Sequence, residues 1–327
     1  MFYSYSESDR IKECGIIYSI KFGVDKIKKL YLLHIVTMLL AMPWLVKALI
    51  SGDILNSIMK IVFNICLLQA WIPRADFYFS LNGVSWYLSV SLFLYVTFPF
   101  VLRQIEKYDR IQTAIVAMGI IYSLQIIMFF AAYCVQIEFF HGDELVHWFV
   151  YVLPLSRLGD FVIGCNLGYV FLKMTKKNAF DGKILTLMES GVIIIILIQM
   201  TFYIWMVTVP EMNDLSIASE NWWGYTVLWT ISSCALIYLF AINNGMLSKY
   251  LTNKSLIFIG DMSANAFLIH QMVYRYLDFV EMKFFDGKYD YANILMCFLI
   301  TIVSAYMWNI VVKSLDYQKT IGRRLMF

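Results

Sequence analysis

Four stretches set ionisable or amide side chains into apolar surroundings, and these are where chemistry is conceivable. In VLPLSRLGDFVIGCNLGYVF (152–171), Arg157 and Asp160 stand three apart and share one helix face, followed by Gly164 and Asn166. They read either as an intrahelical ion pair bracing the helix or as one wall of a polar cavity open to the outer face. In IGDMSANAFLIHQMVYRYLDF (259–279), Gln271 and Arg275 align four apart, with His270 and Tyr274 on a neighbouring stripe. An imidazole is the usual general base near neutral pH; a satisfied core histidine is the bland alternative. In NGVSWYLSVSLFLYVTFPF (82–100), Asn82-Gly83 signals a turn just ahead of an apolar run. Trp86 and Tyr87 fit an interfacial aromatic belt, and Ser85 and Ser89 share a face on which helices can approach closely. Finally, KFGVDKIKKLY (21–31) sets Lys26, Lys28 and Lys29 ahead of an apolar helix. They are plain cytoplasmic charge or a cradle for the phosphates of a cytoplasmic cofactor.

The elements that must carry these residues follow from composition. Of 327 residues, 61% are hydrophobic and 15% are charged, with a mean hydropathy of +0.68. A soluble domain carries about 25% charged residues, so a soluble enzyme, a nucleic-acid binder and a disordered regulator are all excluded. The expected fold is all-α: one polytopic transmembrane helical bundle over residues 1–327, embedded in a lipid bilayer. Runs 111–137, 191–209 and 291–312 hold no Asp, Glu, Lys or Arg. Runs 30–50, 84–102, 148–172 and 223–242 read nearly as well, and 259–279 is weaker because it holds His270 and Arg275. That makes eight spans. Segment 55–72 carries Lys60 and ends at Pro73, and reads as interfacial or re-entrant.

Charge sets the orientation. The N-terminal stretch, loops 103–110, 173–183 and 243–258, and the tail after 312 together hold 19 of the 26 Lys and Arg. Those segments are expected in the cytoplasm, and with them both termini. The opposite loop PEMNDLSIASE (210–220) is acidic, and His141 and His147 fall in another external loop. The six cysteines stand singly and read as small buried hydrophobes, and no residue pattern supports a metal site. There is no glycine-rich phosphate loop, no HExxH and no paired-carboxylate motif. Residue chemistry alone leaves an enzyme and a transporter or flippase both open. No inverted repeat of the transporter kind is visible.

Four segments, in order, resemble the acyltransferase-3 family of bacterial integral-membrane acyltransferases. They are KIKKLYLLHIVTMLLAMP, NGVSWYLSVSLFLYVTFPF, PLSRLGDFVIG and IGDMSANAFLIHQ. The resemblance covers essentially the whole chain. It implies O-acylation, chiefly O-acetylation, of an exopolysaccharide, capsule or other surface glycan at the cytoplasmic (inner) membrane. The donor implied is acetyl-CoA or another acyl-CoA, docked near Lys26, Lys28 and Lys29; the acceptor is a glycan or lipid-linked glycan. His270 would be the base and Arg275 or Arg157 the oxyanion donor. Asp160, Trp86, Ser89 and Gln271 would line the path.

Two features depart from the family pattern. Where many members have Glu-Glu-Gln, this sequence has Ser91-Leu92-Phe93. Members also carry an Arg or Lys, ten residues, then a key His, but the positions eleven before His34 and His270 hold Gly23 and Ile259. By the same resemblance, the first two of about ten helices are expected to be absent. That leaves an inactive acyltransferase fragment as a further reading.

Overall fold

The structure is a computed structural model that describes residues 15–50, 53–139, 147–174, 181–208, 227–285 and 290–325. The N-terminal polar stretch before residue 15, His141 and the acidic loop 210–220 lie outside the described residues. Among the described residues all regular structure is helical, and the protein is an all-α membrane helical bundle. In chain order the helices are α1 (Ile16–Leu40), α2 (Met42–Ile50), α3 (Ile54–Ile65), α4 (Ala75–Tyr78), α5 (Trp86–Ile105) and α6 (Ile111–Phe139). They continue as α7 (Pro154–Met174), α8 (Gly182–Thr208), α9 (Val227–Ile242), α10 (Met246–Leu251), α11 (Lys254–Phe284) and α12 (Asp290–Leu325).

Five segments, 83–105, 111–132, 182–205, 254–284 and 293–314, are long and apolar enough to cross a membrane. They coincide with five of the expected runs. Their large apolar side chains, such as Leu124, Ile198 and Ile294, stand exposed, as a surface facing lipid requires. The other three runs differ in detail. Run 30–50 is not one helix: α1 begins at Ile16 and breaks after Leu40, and α2 restarts with Pro43 in its first turn, where the missing N–H is harmless. Run 148–172 opens with a wide turn, Trp148–Val152, because Leu153 precedes Pro154 and is driven to an extended conformation with ψ 125°. The helix of run 223–242 has 16 described residues.

Segment 55–72 does not cross. Its helix α3 has 12 residues, about 18 Å long, well short of the hydrocarbon thickness. It stops in a Schellman turn, with the Leu67 amide on the Asn64 carbonyl and the Leu68 amide on the Phe63 carbonyl at 2.8 Å. Leu67 occupies the left-handed position (φ 54°) where glycine is usual. The strain of about 1–2 kcal/mol is offset because its side chain is buried in the core with Leu33, Leu88 and Leu268.

The described chain divides into two compact units. The first comprises residues up to Gly23 and Phe93–Lys254; the second comprises Val24–Leu92 and Ser255–Phe327. In the first unit, α8 carries a fully buried carboxylate, Glu189. Its Oε2 accepts from the backbone N–H groups of Leu247 and Ser248 at 3.1 and 3.3 Å, and Thr186, one turn earlier, accepts from Met246 N–H at 2.9 Å. Three otherwise orphaned amides at the start of α10 are thereby met by one face of α8. The carboxylate lies where a Cβ on residue 245 would stand, so only glycine fits there.

Gly245→Ala is therefore expected to destabilise the protein by about 1–3 kcal/mol in an unfolding titration in detergent. In a Glu189→Ala background the same substitution should cost clearly less. Equal costs in the two backgrounds would show that the carboxylate does not set the requirement for glycine.

Candidate functional site

The second unit holds a concentration of buried polar side chains, and it starts from α1. Tyr31 and His34 lie one turn apart and both face the C-terminal end of α3. Tyr31 OH donates to the Ile65 carbonyl at 2.9 Å, and His34 Nε2 lies 3.0 Å from the Asn64 carbonyl. A carbonyl can only accept, so Nε2 carries the proton and Nδ1 keeps a lone pair. His34 is fully buried and its Nδ1 has no partner. The Ile65 carbonyl at the end of α3 is thus met by a side chain of a neighbouring helix, and the Asn64 carbonyl, already accepting the Leu67 amide, gains a second partner.

The 66–85 stretch is non-helical apart from short turns and half of its residues are buried, so backbone and amide groups that its turns leave unpaired need side-chain partners. Asn64 Nδ2 donates to Ser80 Oγ at 2.7 Å, and Gln69 Nε2 donates to the Ser85 carbonyl at 3.2 Å. Asn82, fully buried, is the hub: its Nδ2 donates to Thr37 Oγ1 at 2.9 Å and to the Leu268 carbonyl at 2.8 Å, joining α1 and α11. Gly83 follows because a Cβ there would come within 2.8 Å of the Gln271 amide. That amide is held by accepting the Val84 N–H at 2.9 Å. In the Asn-Gly pair, one residue therefore bridges two helices and the other makes room for a third contact.

Beside this network lies a cavity of about 300 Å³, lined on its polar side by Trp44, Lys60, Asp76, Ser80, Gln271 and Arg275. Arg275 donates through Nη1 to the Leu81 carbonyl at 2.6 Å, and its guanidinium lies over the Trp44 indole at 4.4 Å. Leu81 is itself in the left-handed region (φ 58°), so the guanidinium holds a strained turn in place. Lys60 Nζ and Arg74 Nη2 each lie 2.9 Å from Asp76 Oδ2. Partial burial of Asp76 pushes its pKa up, but the hydrogen bonds and charges of Lys60 and Arg74 outweigh it and hold the carboxyl below its ordinary value of 3.8.

The expected site residues divide as follows. Gln271 and Arg275 come together in the cavity wall, as their spacing implied. His270, on the adjacent stripe, is half-buried and absent from that wall; its Nδ1 donates to the Phe267 carbonyl one turn back at 2.7 Å, which leaves Nε2 with the lone pair. Arg157 and Asp160, in the first unit, form the ion pair at 3.3 Å. Arg157 also donates to the Tyr151 carbonyl at 2.6 Å, and Asp160 accepts from Gln125 at 2.9 Å and from Thr230 at 3.4 Å. The bracing reading describes these contacts: the pair ties α7 to α6 and α9. Ser89 is buried without a hydrogen-bond partner for its hydroxyl, and Trp86 is half-buried. Lys26, Lys28 and Lys29 are exposed on α1, with Lys28 paired to Asp25 at 3.0 Å.

Sequence reasoning passed over His34, Asn64 and Gln69, which sit inside apolar runs, and over Trp44, Lys60 and Asp76. The available signal was the set of three amide-bearing side chains, Asn64, Gln69 and Asn82, spread over 19 residues around a segment too short to span.

No family model matches the chain, and no solved structure matches it. A curated protein, acyltransferase MdmB of Streptomyces mycarofaciens, is 25% identical over 273 residues. The chain is similar to an acyltransferase. The alignment takes in 81% of this chain and spans 63% of the relative's length.

The Asp76 cluster has a defined pH signature. A carboxyl whose folded pKa is depressed contributes stability that is present above the unfolded value of 3.8 and is lost as pH falls through the lower folded value. Asp76→Asn should therefore lower the unfolding midpoint in detergent at pH 6. The gap to the parent protein should shrink as pH falls below 3.8. A gap that stays constant down to pH 3 would mean the charge on Asp76 is not what stabilises the cluster.

Proposed function

We propose that the protein is a membrane acyltransferase of the acyltransferase-3 kind, which moves an acyl group, most simply acetyl, from acyl-CoA to a hydroxyl of a surface glycan. The observation that carries this reading is the similarity to an acyltransferase over 273 residues. It agrees with the four ordered motifs, two of which contribute to the cavity wall: the 26–43 stretch through Ala41 and the 259–271 stretch through Gln271. In this reading the chain lies in a bacterial inner membrane with its basic loops in the cytoplasm. Acyl-CoA approaches the cytoplasmic half of α1, where Lys26, Lys28 and Lys29 present ammonium groups to its phosphates.

The acceptor occupies the cavity between Trp44 and Arg275. Transfer breaks the thioester C–S bond and forms an ester C–O bond. The acceptor proton passes to a base, and then to the departing thiolate to give free CoA. His270 is the candidate base: it lies outside the cavity wall but next in sequence to Gln271 within it, and its Nδ1–H is fixed on the Phe267 carbonyl. Arg157 is left as a positioning residue, since its donors meet Tyr151 and Asp160.

Membranes containing the protein should incorporate label from radioactive acetyl-CoA into glycan. His270→Ala should lower incorporation by about 100-fold or more at unchanged protein level. Normal incorporation by that variant would remove His270 from the mechanism; absence of labelling by the parent protein with a panel of glycans and acyl-CoA donors would remove the acyltransferase reading.

A further inference from the structure

This inference rests on the reading that the cavity takes the acceptor, and it concerns the acceptor's chemistry. The charges around the cavity do not balance. Asp76 is shared by Lys60 and Arg74, each at 2.9 Å from the same carboxylate oxygen. Arg275 has no carboxylate within ion-pair distance among the described residues. Its contacts are a backbone carbonyl and an indole face. These orient a guanidinium without neutralising it, and the carbonyl contact accounts for one of its five N–H donors. A charge within a membrane segment is stable beside a counter-charge or a wet cavity, and this one faces a cavity of about 300 Å³. That volume is at the low end of ligand pockets and has room for one monosaccharide unit.

We propose that the cavity binds an anionic group carried by the acceptor sugar, a carboxylate or a phosphate monoester. Arg275 is its principal contact, Lys60 adds a second positive charge, and Trp44 and Phe79 supply the apolar wall against the ring. Both anions offer the paired oxygens that a guanidinium fork engages, so the same site suits a uronic acid or a glycosyl phosphate.

The test is equilibrium binding to the full chain purified in nanodiscs, with no acyl donor present, using D-glucuronate, D-glucose 1-phosphate and D-glucose as probes. At least one of the two anions should bind ten-fold or more tightly than glucose, with the preference falling as salt is raised. Arg275→Gln should abolish the preference, bringing both anions to the level at which the same variant binds glucose, and Arg275→Lys should keep part of it. If Arg275→Gln does not fold, Lys60→Gln gives the second reading and should cut the preference several-fold. Which anion wins separates a uronic acid from a glycosyl phosphate. Equal binding of all three probes, or a preference that survives Arg275→Gln, would overturn the proposal. Because no acyl transfer is measured, loss of the anion preference leaves the acyltransferase reading standing with a neutral acceptor. An intact preference in a protein that never transfers acyl groups would leave the binding site and remove the enzyme.

Discussion

Backbone that leaves the helical hydrogen-bond ladder inside an apolar protein must find other partners; in the second unit, residues 66–85 find many of them in their own turns, and side chains meet the Val84 amide and the Leu81 and Ser85 carbonyls. Each buried polar group left unmet costs about 1–3 kcal/mol. The answer here is a set of amides and hydroxyls on three helices. Asn82 bridges Thr37 on α1 and the Leu268 carbonyl on α11, and Gln271 receives the Val84 amide. Tyr31 and His34 meet the carbonyls at the end of α3. Remove these partners and the stretch has no reason to stay in the core.

The cavity follows from the same constraint. The turn that ends at Leu81 is held by Arg275, and holding it turns the guanidinium along Trp44 and toward open volume. Lys60, on the short helix α3, reaches Asp76 only because α3 stops and the chain folds back on itself. Arg275, which meets a buried backbone carbonyl, is in this way also one of the residues that charge the cavity. This puts polar and charged side chains around a cavity in a protein whose long helices are predominantly apolar.

The fold was largely legible because membrane spans are written in runs of apolar residues. Runs such as 111–137 and 291–312 correspond to long helices with no help from packing detail. Breaks were less legible. Hydropathy does not register that Pro154 straightens Leu153, or that α1 ends ahead of Pro43 and starts at Ile16, well before the apolar run. At the site, the i,i+4 pair Gln271 and Arg275 could be read directly, because helical spacing fixes which side chains share a face. His34, Asn64 and Gln69 could not be read that way. Their partners lie 16 to 30 residues away in other elements, and no spacing rule links them. Arg157 and Asp160 fell between: their spacing gave the ion pair, while Gln125 and Thr230, which tie Asp160 to two further helices, come from elsewhere in the sequence.

Native-state amide hydrogen exchange at Val84 and Ser85 tests the central claim most directly. Both amides lie in the 3-10 turn that opens the 83–105 segment, where a helix leaves its first N–H groups without intrahelical partners; one is held by the Gln271 side chain and the other by the backbone carbonyl of residue 82. Both should be protected to the same degree as amides in the middle of α11, and both should lose that protection in Asn82→Ala while the rest of α11 keeps its own. Exchange of Val84 and Ser85 in the parent protein at the rate of an open loop would contradict the account.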